Sequence, residues 1–222
     1  MNNQKEENGE IKHEQPSYEF KISTLGLWGC GKTSLLNELK RKGSFNPHTV
    51  TTLGLSFVTV TKVINDEVIR FILFDTSGQE KHRAITTSSY RDMHGTVLVY
   101  DLTRRQPSIE RLYDDFDEIK ERNVNECPIM IVGNKLDLIQ EERDQVECNS
   151  ELKELCGKLN VHSGFLTSAK THANISEAFQ PFFKYIYDTF RNEDTKIKQE
   201  PPPIIDGWDH IKRPKKKNCC SS

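Results

Sequence analysis

The sequence predicts an α/β domain: a six-stranded, mostly parallel sheet with one antiparallel strand and helices on both faces. Three observations predict it. Between residues 18 and 190, short apolar runs alternate with amphipathic stretches, the order that builds doubly wound folds. Two runs, Val97-Leu98-Val99 and Ile129-Met130-Ile131-Val132, are continuously apolar, as strands covered on both faces are. A glycine loop, Gly26-Leu27-Trp28-Gly29-Cys30-Gly31-Lys32-Thr33, joins the first apolar run to a leucine-rich helical run.

Taken in order, the strand candidates are 20–25, 55–63, 68–74, 96–100, 129–132 and 164–166. Asn65-Asp66 separates the second from the third and reads as a tight turn, so these two form an antiparallel hairpin. Helices are expected after Thr33, Ser108, Asn149 and Asn174. Ile109, Leu112, Tyr113, Phe116 and Ile119 have the spacing of one buried helical face. Ala178, Phe179, Phe182, Phe183, Ile186, Tyr187 and Phe190 repeat it, and these aromatics read as core rather than as a cofactor box.

The 222 residues are 35% hydrophobic and 29% charged, which is polar for a globular domain and points to solvated ends. Residues 1–17 are expected to be a disordered extension, 18–190 the folded domain, and 191–222 a hypervariable polybasic tail. A net charge of −2 gives no global pull toward nucleic acid or membrane. Residues 1–17 contain no apolar h-region, and no apolar run approaches the ~18 residues of a membrane span. The six cysteines fit no zinc spacing. Free thiols in a reducing compartment are expected.

The glycine loop is a phosphate cradle. Gly26, Gly29 and Gly31 let the chain fold back so that N–H groups, that of Cys30 included, converge on one place. The following helix adds its positive end, with Ser34 in the first turn. Lys32 can reach the β- and γ-phosphates and the Thr33 hydroxyl can bind Mg²⁺. A chance glycine turn is the plain alternative.

Further segments fall where strands should end. Asp75, after Phe71-Ile72-Leu73-Phe74, can hold Mg²⁺ through water. Gly78 leaves its N–H open to a γ-phosphate, and Gln79 can orient an attacking water. In Asn134-Lys135-Leu136-Asp137, one carboxylate can accept from both N1–H and the N2 amine of guanine. Adenine offers neither donor there, so its binding strands the carboxylate. Lys135 can lie over the base, and Asn134 can tie loops together. In Thr167-Ser168-Ala169-Lys170, a backbone N–H, that of Ala169, can reach guanine O6. Thr52 could complete the Mg²⁺ shell, with Thr51 as its competitor, and Phe45 could pack against the base. Each of these segments would also suit an ordinary solvated turn.

Together the motifs resemble the Ras superfamily of small GTPases, and the Rab family within it. Phe74-Asp75-Thr76-Ser77-Gly78-Gln79-Glu80 resembles W-D-T-A-G-Q-E. Thr52-Leu53-Gly54-Leu55-Ser56-Phe57 resembles T-I-G-V-D-F. Tyr90-Arg91-Asp92-Met93-His94-Gly95 resembles Y-R-G-A-H-G. The resemblance implies a P-loop G domain that switches between GTP and GDP, uses Mg²⁺ and hydrolyses GTP, with Gln79 and Lys32 as catalytic residues. It implies ordering of the loops around Thr52 and Gln79 by the γ-phosphate. It also implies exchange factors, GTPase-activating proteins, a prenylation escort, a dissociation inhibitor and effectors of vesicle traffic, and no nucleic acid.

The tail places Lys212, Arg213 and Lys215-Lys216-Lys217 before Cys219-Cys220-Ser221-Ser222. This is not C-a-a-X; it is similar to Rab tails that carry two geranylgeranyl groups, and two chains anchor stably where one does not. A nuclear-localisation-like or merely solvated basic patch is the alternative. The implied location is the cytoplasmic face of intracellular or plasma membranes, with a cytosolic pool.

Some residues depart from the family. Trp28 stands in the phosphate loop where a small residue is usual; an indole there would crowd the γ-phosphate and Gln79 unless it swings into solvent. Ser89 stands where an aromatic is usual. A GTP-locked membrane scaffold with little hydrolysis is therefore the second expectation. A P-loop small-molecule kinase, the third, leaves the Asn134–Asp137 segment and the cysteine pair unexplained.

Overall fold

The computed structural model describes residues 15–46, 55–76, 93–122, 127–192 and 195. The expectations placed on Thr52, Gly78, Gln79, Cys219 and Cys220 lie outside the described residues.

The strands are β1 (Tyr18–Leu25), β2 (Leu55–Ile64), β3 (Glu67–Thr76), β4 (Gly95–Asp101), β5 (Ile129–Asn134) and β6 (Ser163–Leu166). They form one six-stranded sheet in the order β2-β3-β1-β4-β5-β6. Only β2 and β3 pair antiparallel; the other neighbours are parallel. The hairpin closes with Val63 opposite Val68 and Ile64 opposite Glu67. Asn65 and Asp66 both have positive φ, 52° and 63°, the backbone sense that matches strand twist.

The helices are α1 (Lys32–Lys40), α2 (Arg105–Arg122), α3 (Glu142–Leu159) and α4 (Ile175–Phe190), with a 3₁₀ turn at Leu136–Leu138. The pleat sends alternate residues to opposite faces. On β4, Val97 and Val99 join the cluster with Leu35, Leu36, Phe179 and Phe183 of α1 and α4. Leu98 and Tyr100 join Leu112 and Ile119 of α2 and Leu152 and Leu155 of α3. Helices thus cover both faces, and the unbroken apolar runs have their physical reason. The aromatics of α4 are core: the Phe71 and Phe183 rings stack at 4.2 Å.

Two helix starts differ from the expected ones. The second helix begins at Arg105, before Ser108, with Pro107 accommodated in the first turn, where its missing N–H costs little. The third begins at Glu142, not after Asn149. Its first two turns are mostly exposed, so they carry little apolar period. Asn149 and Ser150 are inside it, each donating to the carbonyl four residues back.

Chain order reverses at β1, which lies between β3 and β4. A crevice at the carboxyl ends of the strands is expected at such a switch point. The glycine loop leaves β1 there, Asp75 is the last residue but one of β3, Asp101 ends β4 and Asn134 ends β5.

Candidate functional site

The loop between β1 and α1 is shaped by close contacts. Gly26 has φ +141°, and a Cβ there would lie 2.0 Å from the Val99 carbonyl oxygen. Gly31 has φ +95°, and a Cβ there would lie 2.4 Å from the Asn134 amide nitrogen. Any side chain at either position would be strained and would push the loop off the sheet.

Lys32 is 4% exposed. Its ammonium donates to the Gly26 carbonyl at 3.0 Å and to the Leu27 carbonyl at 3.2 Å. The cation is therefore already inside the loop, held by carbonyls that a phosphate can replace. The Cys30 side chain is fully buried in the same loop, and burial pushes its thiol above the usual range. Trp28 is 49% exposed.

Thr33 and Asp75 meet where α1 begins and β3 ends. The Thr33 hydroxyl donates to Asp75 Oδ2 at 2.6 Å, and Asp75 is buried. A hydroxyl and a carboxylate are hard oxygen donors, the kind Mg²⁺ takes in phosphate sites. The donor chemistry fits that ion; the expected third donor, Thr52, lies outside the described residues.

A cleft of about 260 Å³ opens beside this loop, lined by Gly31, Ser34, Phe45, Asn134, Lys135, Asp137, Leu138, Ala169 and Lys170. Phe45 stands in this lining beside Asn134 and Asp137. Asp137 is fixed from two sides: the Ser168 hydroxyl donates to Oδ1 at 2.6 Å, and the Lys170 ammonium lies 3.8 Å from Oδ2. Ser168 is itself fully buried, and its oxygen accepts from the Thr171 N–H at 3.1 Å. The hydroxyl leaves the carboxylate with acceptor capacity toward the cleft.

Asn134 spans the site. Its Nδ2 donates to the Cys30 carbonyl at 3.0 Å, and its Oδ1 accepts from the Ala169 N–H at 3.1 Å. The N–H expected to face guanine O6 is therefore engaged here by Asn134. Lys135 has φ +71° and donates to Asp101 Oδ2 at 2.7 Å. Asp101 is 1% exposed; its Oδ1 also accepts from the Thr103 N–H and hydroxyl. Sequence reasoning missed Asp101. Its signal was its position at the end of a continuously apolar strand. It also missed Glu38 and His172, whose link only the tertiary structure brings about.

A mostly parallel sheet whose strand order reverses at a glycine loop, with a cleft lined by Asp137 beside it, defines a P-loop nucleotide-binding domain. The family model described as "Ras family" matches residues 21–188. The chain is 34% identical over 179 residues to the Ras-related protein RGP2 of Oryza sativa subsp. japonica, covering 81% of this chain and 79% of that protein. It is 31% identical to the Ras-related protein Rab11B of Nicotiana tabacum, covering 92% and 94%. It is 32% identical to the Ras-related protein Rab-3C of Bos taurus, covering 84% and 85%. The chain belongs to the Ras family and is a Rab-like small GTPase.

Proposed function

We propose that this GTPase is a GTP/GDP switch of vesicle traffic, with the G domain over residues 18–190 and its ends outside it. The observation that carries this reading is Asp137, held in the cleft lining by Ser168 and Lys170 next to the phosphate loop. Asp137 accepts from the two guanine donors, Phe45 and Lys135 flank the base, and Asn134, Ser168, Ala169 and Lys170 complete the pocket. Guanine O6 shares the Ala169 N–H with Asn134. Gly26, Gly29, Cys30, Gly31, Lys32, Thr33 and Ser34 surround the phosphates.

Thr33 and Thr52, with Asp75 through water, would hold Mg²⁺, which when bound would neutralise phosphate charge. Gln79 positions the attacking water, and Gly78 senses the γ-phosphate. Regulators and effectors read the two nucleotide states. Cys219 and Cys220, behind the basic run Lys215-Lys216-Lys217, carry geranylgeranyl groups that place the switch on a membrane. Purified protein, its bound nucleotide identified by chromatography and its phosphate release followed, tests the reading. Bound GDP or GTP with measurable turnover supports it; bound adenine nucleotide removes it.

A second reading rests on the place of Trp28 in the phosphate loop, although its indole is half exposed to solvent. In that reading the protein stays GTP-bound and acts as a scaffold. Trp28→Gly separates the two. Faster hydrolysis in the variant, with or without an activating protein, favours the scaffold; equal rates remove it.

A further inference from the structure

A buried carboxylate stands behind the cleft, outside every motif described above. Glu38 lies in α1, and its side chain is 2% exposed. Its Oε1 accepts from the Gly43 N–H at 2.6 Å and lies 2.9 Å from His172 Nδ1. Its Oε2 accepts from the Ser44 N–H at 2.8 Å and the Ser44 hydroxyl at 3.3 Å. These donors come from two separate stretches of chain. Gly43 and Ser44 immediately precede Phe45, and His172 follows Ala169 and Lys170; all three of those residues line the cleft. His172 has φ +65°, and its Nε2 is 3.5 Å from the Ser176 hydroxyl at the start of α4. Burial opposes the charge on Glu38, but the Gly43, Ser44 and His172 hydrogen bonds prevail and hold its carboxyl below the usual 4.5.

We propose that Glu38 is a positioning residue for base recognition: its carboxylate clasps the Gly43-Ser44 turn to the His172 loop and so keeps Phe45 and residues 168–170 in register with Asp137. The inference rests on the guanine reading above. Both carboxylate oxygens act as acceptors, so a glutamine, with one acceptor and one amine, sets donor against donor. The chain of contacts runs from Glu38 to His172, along the backbone to Thr171, whose N–H donates to Ser168, and from Ser168 to Asp137. A loosened clasp therefore weakens the alignment of Asp137 with the guanine N2 amine, not merely the grip on any nucleotide.

The test measures release of GDP and of inosine diphosphate, which lacks that amine, from the full chain. Wild type is expected to hold GDP longer than inosine diphosphate; if it shows no preference, the guanine reading fails and the clasp fails with it. Given the preference, Glu38→Gln is expected to speed GDP release about tenfold or more, the effect of a stranded buried donor, and to narrow the preference. His172→Ala is expected to do the same more weakly. His172→Asn is expected to stay near wild type, because asparagine tolerates the left-handed backbone and still offers an N–H. Wild-type release and preference in Glu38→Gln overturn the clasp. So does equal acceleration for both nucleotides, which is simple loss of stability. Should Glu38→Gln not fold, the His172→Ala and His172→Asn pair decides by the same criteria.

Discussion

Asn134 joins the glycine loop to the loop after β6 through one amide: its Nδ2 donates to the Cys30 carbonyl at 3.0 Å while its Oδ1 accepts from the Ala169 N–H at 3.1 Å. The two halves of the nucleotide site are thereby fixed relative to one another. The crossing is close enough that Gly31 can carry no side chain beneath it.

Asn134→Ala removes both bonds and leaves a buried carbonyl and a buried N–H without this partner. Each such loss costs about 1–3 kcal/mol. Release of bound nucleotide, followed by fluorescence of a labelled analogue, is expected to accelerate at least about tenfold. An unchanged release rate contradicts the coupling of the two loops.

Lys135 and Asp101 form a lopsided pair, the aspartate side chain buried and the lysine side chain 31% exposed. Lys135→Ala leaves the Asp101 charge with only the Thr103 donors. Breaking a fully buried pair costs about 3–5 kcal/mol, and solvent at the lysine reduces this to about 1–2. The melting temperature is expected to fall by about 2–8 °C. Asp101→Asn is expected to be milder, because it removes the buried charge as well. A Lys135→Ala protein that melts with wild type contradicts the pairing.

Burial raises the Cys30 thiol above its usual 9.0. The thiolate is the reactive form, so Cys30 is expected to resist alkylation at about pH 8 in the folded protein and to react once denatured. Mass spectrometry of the peptide spanning residues 26–32 reads this directly. Rapid labelling in the native state contradicts the buried loop.

Glu38 gives a pH signature. Its carboxyl titrates below 4.5 when folded, so its stabilisation is fully present above that value and is lost as pH falls through the folded one. His172 is the titratable group facing it. The stability gap between wild type and Glu38→Gln in urea unfolding is therefore expected to close as pH falls below about 4.5. A gap that widens on acidification contradicts the assignment.

Most of the fold was legible because its signals are local. The apolar runs of β4 and β5 report cover on both faces, and Asn65-Asp66 reports the hairpin. That the glycine loop, Asp75, Asn134 and Asp137 lie on one edge of the sheet was legible because each follows or closes an apolar run. The start of α3 was hidden because an exposed helical turn needs no apolar stripe. Glu38, Asp101 and His172 were hidden for a different reason. Their roles arise from contacts 134 residues apart for His172 with Glu38 and 34 apart for Lys135 with Asp101, and neither pair has a sequence pattern.

The most direct measurement is competition between GTP and ATP for the purified chain, with Asp137→Ala alongside. The pocket predicts that GTP displaces a bound labelled guanine nucleotide at least about 10⁴-fold more effectively than ATP, and that Asp137→Ala abolishes most of that preference. Equal displacement by the two nucleotides, or a preference that survives Asp137→Ala intact, contradicts the account.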